Sequence, residues 1–348
     1  MATRVAKTGN PGDIDVALRH TPRMLERRTF YAENGDGWRL ALHRYRDSAR
    51  LDPSRRPVAI IPGFAMNAFI LGYHPTRRPL AAYLADHGFE VFCLELRGQG
   101  HAHPISGQRA HRRFGLADVG LVDLAAALDA LPRFSALGDG PIDAIGCSLG
   151  ATYMFMHAAW QPGARLRRLV NLGGPLEWTH AHPVVRALAQ LPLGVPAMRG
   201  TRTLARVALP LAVRIPGFLN IYLNKDICDL SRPGSLVNTV DDPVARINFE
   251  IARWIRRRDL ILEGRNLTVD LGRVTMPLLT IVANADGIVP EAVVRSGDRR
   301  IGTPATERRV IVAGDTARPM AHADLFISEP AEEAVFAPLA DWLATPVF

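Results

Sequence analysis

The feature that most constrains the fold is an alternation of short, mostly apolar runs with segments of helical spacing. Val58–Ile61, Phe89–Leu94, Ile142–Ile145, Leu169–Leu172 and Leu278–Val282 have the length and composition of strands covered on both faces, as in a parallel sheet. Trp38–Tyr45 instead alternates apolar and polar residues, which suits an edge or near-edge strand. Leu80–His87, Leu116–Leu131 and Leu149–Trp160 lie between these runs and place apolar residues three and four apart. This order predicts right-handed βαβ crossovers and an α/β fold with a mostly parallel central sheet flanked by helices. Its ligand site belongs at the carboxyl ends of the strands.

The alternation stops after Gly173-Gly174-Pro175 and resumes near Val274. We therefore expect a core of residues 26–175 and 270–348, interrupted by an inserted helical cap at 176–269 and preceded by a loose N-terminal arm at 1–25. Within the insertion, Leu204–Leu223 is greasy, but Arg206, Arg214, Pro210 and Pro216 break it below the roughly 20 unbroken apolar residues of a transmembrane span. A cap helix with one apolar face is the expectation.

The chain has 348 residues and a formal charge of +8, spread over pairs and triplets such as Arg27-Arg28 and Arg256-Arg257-Arg258. No interleaving of aromatic and basic residues accompanies that charge, so no nucleic-acid partner is expected. Contact with anionic membranes stays open. Cys93, Cys147 and Cys228 lack CxxC spacing and read as buried free thiols, in keeping with a reducing compartment. The first twenty-odd residues hold no apolar signal region, so a cytoplasmic location is expected. The pairs His101/His103 and His180/His182 do not make a metal site without further ligands, and neither metal nor cofactor is expected.

The chemistry centres on Gly146-Cys147-Ser148-Leu149-Gly150, which follows one apolar strand and opens a helix. A serine before a helix can be an ordinary N-cap. A serine on a strained strand-to-helix turn, flanked by small residues that allow close packing, is also the geometry of an exposed nucleophile. Such a hydroxyl needs a base, and the base needs an acid to orient it. Asp286 follows the strand Leu278–Val282, although Asp286-Gly287 alone could be a plain turn. His322 comes last, after Val310–Ala313. The oxyanion of an acyl-transfer intermediate needs backbone donors. Leu149 N–H is one, and Phe64 N–H, in the turn Pro62-Gly63-Phe64, is the expected second.

These residues resemble the α/β-hydrolase superfamily. The resemblance rests on Pro62-Gly63-Phe64, on Leu96-Arg97-Gly98-Gln99-Gly100, on the Ser148 elbow and on Asp286 with His322, in family order. It implies the family fold and a Ser148-His322-Asp286 triad. Val269–Pro290 and His322-Ala323-Asp324 are similar to polyhydroxyalkanoate synthases, which use a cysteine nucleophile. Here Cys147 falls one residue early and should point away from the site. Leu84–Val91 and the His-x-Asp ending are similar to acid lipases. The expected activity is hydrolysis of carboxylic esters with a hydrophobic portion, acyl transfer or non-catalytic lipid binding being the alternatives. The sequence assigns no oligomeric state.

Overall fold

The computed structural model describes residues 25–105, 113–161, 163, 165–190, 200, 203 and 220–345. The expected arm up to residue 24, and the greasy stretch up to residue 219, lie outside them.

The strands, in chain order, are β1 (Leu25–Glu33), β2 (Trp38–Asp47), β3 (Val58–Ile61), β4 (Val91–Glu95), β5 (His103–Pro104), β6 (Ile142–Cys147), β7 (Leu166–Leu172), β8 (Ile261–Leu262), β9 (Arg265–Asn266), β10 (Leu278–Ala283) and β11 (Arg308–Ala313). The main sheet runs β1-β2-β4-β3-β6-β7-β10-β11, with the short β5 beside β2. From β4 to β11 every pairing is parallel; β1 and β2 are antiparallel additions at one edge. The main helices are α1 (Leu80–Asp86), α2 (Leu124–Ala130), α3 (Leu149–Trp160), α4 (Pro183–Gln190), α5 (Ala245–Arg257) and α6 (Ala337–Ala344).

The continuous apolar runs are explained by two hydrophobic clusters, one on each face of the sheet. Ala59 and Ile61 of β3 pack with α2 and α3. Their neighbours Val58 and Ile60 pack with α1 and α6 on the opposite face. A strand covered on both sides has no position left for a polar alternate.

The segment Leu116–Leu131 is helical but not uniform. Asp118–Asp123 is a π-helical turn that runs into α2, and it brings Asp123 to the inside. Strand β1 carries no apolar signature because it is an edge strand with exposed Arg27 and Arg28. It is held by its full-length register on β2, from Leu25↔Asp47 to Glu33↔Arg39. Between β7 and β10 the chain forms α4, α5 and the tight β8-β9 hairpin, whose turn residues Glu263 and Gly264 both have positive φ. The Trp178 and Trp254 rings meet edge-on at 6.0 Å, and Arg256 donates to the Ala189 carbonyl, so α4 and α5 form one packed unit. Among the described residues no helix is long and apolar enough to cross a membrane.

One buried group makes the fold acid-sensitive. His157 lies near the end of α3, 5% exposed, where burial disfavours the imidazolium and pulls its pKa down to about 4. The unfolded imidazole titrates near ~6.5, so below that pH the unfolded chain binds the extra proton more readily than the folded one. The stabilisation is complete above ~6.5 and declines as pH falls towards 4, by up to about 3 kcal/mol. Urea unfolding of His157→Leu at pH 7 and pH 4 is expected to show a correspondingly smaller acid loss than wild type. Equal losses would contradict this role for His157.

Candidate active site

The strand order places the site before any side chain is considered. From β3 the chain crosses to β4 on one side, and from there it returns to β6 on the other. The carboxyl ends of β3 and β6 therefore flank a crevice at the point where the winding reverses. The turn at Gly63 leaves β3 there, and the turn at Ser148 leaves β6.

Ser148 sits at φ 51° and ψ −126°, a costly backbone conformation for a residue with a side chain, between β6 and the first residue of α3. Its neighbours make the turn affordable only because they lack side chains. A Cβ on Gly146 would lie 2.2 Å from Ala151 Cα, and one on Gly150 would lie 2.1 Å from the Ile61 carbonyl oxygen. The helix is thus pressed against both its own strand and β3.

Asp286 and His322 reach the same point from the far side of the sheet. The Asp286 Oδ1 atom accepts the N–H groups of Ile288 and Val289, both at 2.8 Å, which fixes the carboxylate. Asp286 Oδ2 lies 2.6 Å from His322 Nδ1, and His322 Nε2 lies 2.9 Å from Ser148 Oγ. A carboxylate can only accept, so the imidazole proton resides on Nδ1 and Nε2 is left to accept from the Ser148 hydroxyl. All three residues are buried to within a tenth of full exposure. Such an arrangement is chemically able to supply a nucleophile, a base and an orienting acid.

Leu149 opens α3, so its N–H is among the donors that a helix start leaves without an intrahelical partner. Phe64, 38% exposed, lines the same apolar cavity as Ser148 and Leu149. The approach of its turn depends on Gly63, where a Cβ would lie 2.8 Å from Ser148 Cβ. Gln99 holds that turn in place: its side-chain amide donates to the Gly63 carbonyl at 3.1 Å while its oxygen accepts Leu96 N–H at 2.9 Å. Arg97, in the same loop, is anchored on buried Asp123 at 2.7 Å and on Asp36. The Leu-Arg-Gly-Gln-Gly segment is therefore a brace for the turn.

Cys147 is fully buried in the core on the α1 and α6 side, and burial pushes its thiol well above the ordinary range. It is a packed thiol rather than a nucleophile. Cys93 and Cys228 are likewise buried and free.

Other residues brace the site through contacts that the sequence does not show. Asn171 accepts the Gly174 N–H at 2.8 Å and so fixes the backbone behind Ser148. The Tyr222 carbonyl accepts Ala323 N–H at 2.7 Å, which ties the stretch between β7 and β10 to the histidine loop. Asp324 accepts the Ala321 and Asn224 N–H groups and the Cys228 thiol; burial raises its carboxyl pKa in spite of those donors. Separately, the structure brings His43, Glu95 and His101 together, a grouping the sequence spacing hid. His103 is not part of it and instead bonds the His101 carbonyl. Neither His180 nor His182 joins a metal-ligand group among the described residues.

A family model described as the alpha/beta hydrolase fold matches residues 56–317, from just before β3 to just beyond β11. The chain belongs to the α/β-hydrolases. Solved structures of the same fold include a protein of Acinetobacter baumannii provisionally described as a lipase, with 11% identity, TM-score 0.60, and coverage of 97% of this chain and 99% of that one. A bromoperoxidase from Bacillus anthracis is similar at 14% identity and TM-score 0.59, covering 91% and 100%. The enol-lactonase of Burkholderia xenovorans LB400 matches at 15% identity and TM-score 0.56, covering 89% and 98%. Comparison with curated proteins gives no match. At these identities the similarity speaks for the fold of this α/β-hydrolase, and its chemistry has to be argued from the site.

Proposed function

We propose that this α/β-hydrolase is a serine esterase that cleaves carboxylic esters with a hydrophobic acyl portion. The observation that carries the reading is the unbroken hydrogen-bond chain from Asp286 through His322 to Ser148 Oγ. In this mechanism His322 takes the Ser148 proton as Oγ attacks the ester carbonyl. The tetrahedral oxyanion is held by the Leu149 and Phe64 N–H groups, and the imidazolium returns its proton to the departing alcohol. Water, activated by the same imidazole, then releases the acid. Asp286 keeps the imidazole in the productive tautomer and stabilises its charged form.

The substrate class follows from the cavity over Ser148. It encloses about 280 Å³ and is lined almost wholly by apolar side chains, among them Phe64, Trp178, Leu188, Ile251 and Trp254. Most of that lining comes from α4 and α5, so the described part of residues 176–269 acts as a cap and the rest of the described chain as the catalytic core. Each buried methylene contributes about 0.8 kcal/mol, roughly fourfold in kcat/KM, until the cavity is full. The volume lies just below the range of typical ligand pockets, about 300–1,000 Å³. For p-nitrophenyl esters, kcat/KM is expected to rise steeply from acetate to about octanoate and to fall at palmitate. A maximum at acetate would count against an acyl-binding cap. Labelling by a fluorophosphonate, mapped to Ser148 by peptide mass spectrometry, tests the nucleophile independently. Running the reaction with an added alcohol separates hydrolysis from acyl transfer by its product, free acid or new ester.

A further inference from the structure

At the edge of the sheet remote from the triad acid, three segments converge on one carboxylate. His43 lies on β2, Glu95 ends β4, and His101 follows the brace loop that carries Arg97 and Gln99. Glu95 Oε2 receives His43 Nε2 at 2.9 Å and His101 Nδ1 at 3.0 Å. The three ligand atoms all lie within 4.8 Å of one another. We propose that His43, Glu95 and His101 form a binding site for a divalent first-row transition metal of the zinc class, with the remaining coordination position open to solvent.

Glu95 and His43 are each oriented by a partner on the atom that would not ligate, and Glu95 Oε2 also accepts the His101 backbone N–H at 2.7 Å, which holds the loop against the carboxylate. Glu95 Oε1 is occupied by Ala68 N–H at 3.1 Å, which turns Oε2 towards the two imidazoles. His43 Nδ1 meets the Thr29 hydroxyl at 2.9 Å. A hydroxyl can donate or accept, so it can support the tautomer in which Nε2 gives up its proton to a metal and Nδ1 keeps one.

Geometry and chemistry agree with a cation of this kind. Zinc holds nitrogen and oxygen ligands at about 2.0–2.2 Å in a tetrahedron, which puts the ligand atoms roughly 3.3 Å apart. The observed 2.9 and 3.0 Å separations need to open by only a few tenths of an ångström. Two imidazoles with one carboxylate suit zinc, iron, cobalt and nickel better than magnesium or calcium, which favour all-oxygen sites. The packing is close: Gly100 has no room for a Cβ, which would fall 2.0 Å from Glu95 Oε1. His43 and Glu95 are nearly inaccessible, whereas the His101 side chain is 64% exposed and leaves an entry path. A bound metal would cross-link β2, β4 and the loop whose Gln99 holds the Gly63 carbonyl, so it would stiffen the turn at Phe64.

The test uses the full chain stripped with a chelator and titrated with zinc chloride by calorimetry and by thermal unfolding. One zinc per chain is expected, with Tm rising by about 4 °C when free zinc is about a hundredfold above Kd. In His101→Ala, an exposed substitution that leaves the fold intact, affinity is expected to drop at least about tenfold. His43→Gln should behave alike, and His180→Ala should bind as wild type. Cobalt(II) should give the visible absorption of a low-symmetry nitrogen and oxygen site in wild type and lose it in His101→Ala. Absence of stoichiometric binding would overturn the assignment. So would weak multisite binding, or binding unchanged in His101→Ala. None of these readouts depends on esterase activity.

Discussion

Ser148→Ala is expected to lower kcat/KM for the best p-nitrophenyl ester by about 10⁴- to 10⁶-fold and to abolish fluorophosphonate labelling, while leaving the urea midpoint within experimental spread of wild type. The magnitude follows from how the three residues act. Once the nucleophile is gone the base and acid have nothing to activate, so the loss approaches that of removing all three, and only oxyanion stabilisation and binding survive. Stability should hold because Oγ makes a single side-chain bond, to His322, and its removal opens a very small cavity. Asp286→Asn provides the companion measurement. An amide can donate to Nδ1, which favours the tautomer with the proton on Nε2, and a loss of about 10⁴ in kcat is expected. Wild-type rates in either variant would exclude the proposed mechanism, and unfolding would show up separately in the urea curve.

Gly150→Ala is the second large effect, and it reaches activity through packing. Its Cβ would stand 2.1 Å from the Ile61 carbonyl oxygen and 2.6 Å from that of Pro62. Both are backbone atoms at the end of β3, so no rotamer change can make room. Either α3 tilts away from the sheet or β3 and the turn at Gly63 move outward. Overpacking of this kind costs about 3 kcal/mol, and any outward shift separates Phe64 N–H from the point where the oxyanion forms. We expect a lower urea midpoint together with a fall of about 10²-fold or more in kcat, the scale of a lost oxyanion donor. Gly140→Ala, where nothing lies within 4 Å of the added methyl, should change neither quantity. If Gly150→Ala matched it, the close approach of α3 to β3 would not be needed.

The strands were legible because burial on both faces removes polar alternates. Val58–Ile61 has the same limits in sequence and structure, and β6, β7, β10 and β11 lengthen the predicted runs by a few residues. Strand β1 was not legible. Half of it faces solvent and it is stabilised by its ladder to β2, an interaction that leaves no periodicity in Leu25–Glu33 itself. The π-helical turn at Asp118–Asp123 escaped for a related reason, since helical spacing does not distinguish it from regular α-helix.

For the site, Ser148, Asp286 and His322 stood out because a strained elbow needs small residues around it and because the order of the strands dictates where an acid and a base can arrive. Asn171 and Tyr222 act through backbone contacts that no sequence pattern marks; Gln99 and Asp324 stood within the recognised motifs, but their bonds to the Gly63 carbonyl and the Asn224 N–H, 36 and 100 residues away, appear only in the tertiary structure. The His43, Glu95 and His101 cluster is of the same kind: 52 residues separate its first two members, and only the β2-β4 pairing joins them. By itself the sequence determined the layered fold and the residue types available for chemistry, because hydrophobic periodicity and turn geometry are local properties. The tertiary structure alone decided which side chains meet, how large a cavity lies over Ser148 and which polar groups brace it, because these depend on strand order and on contacts across the sheet.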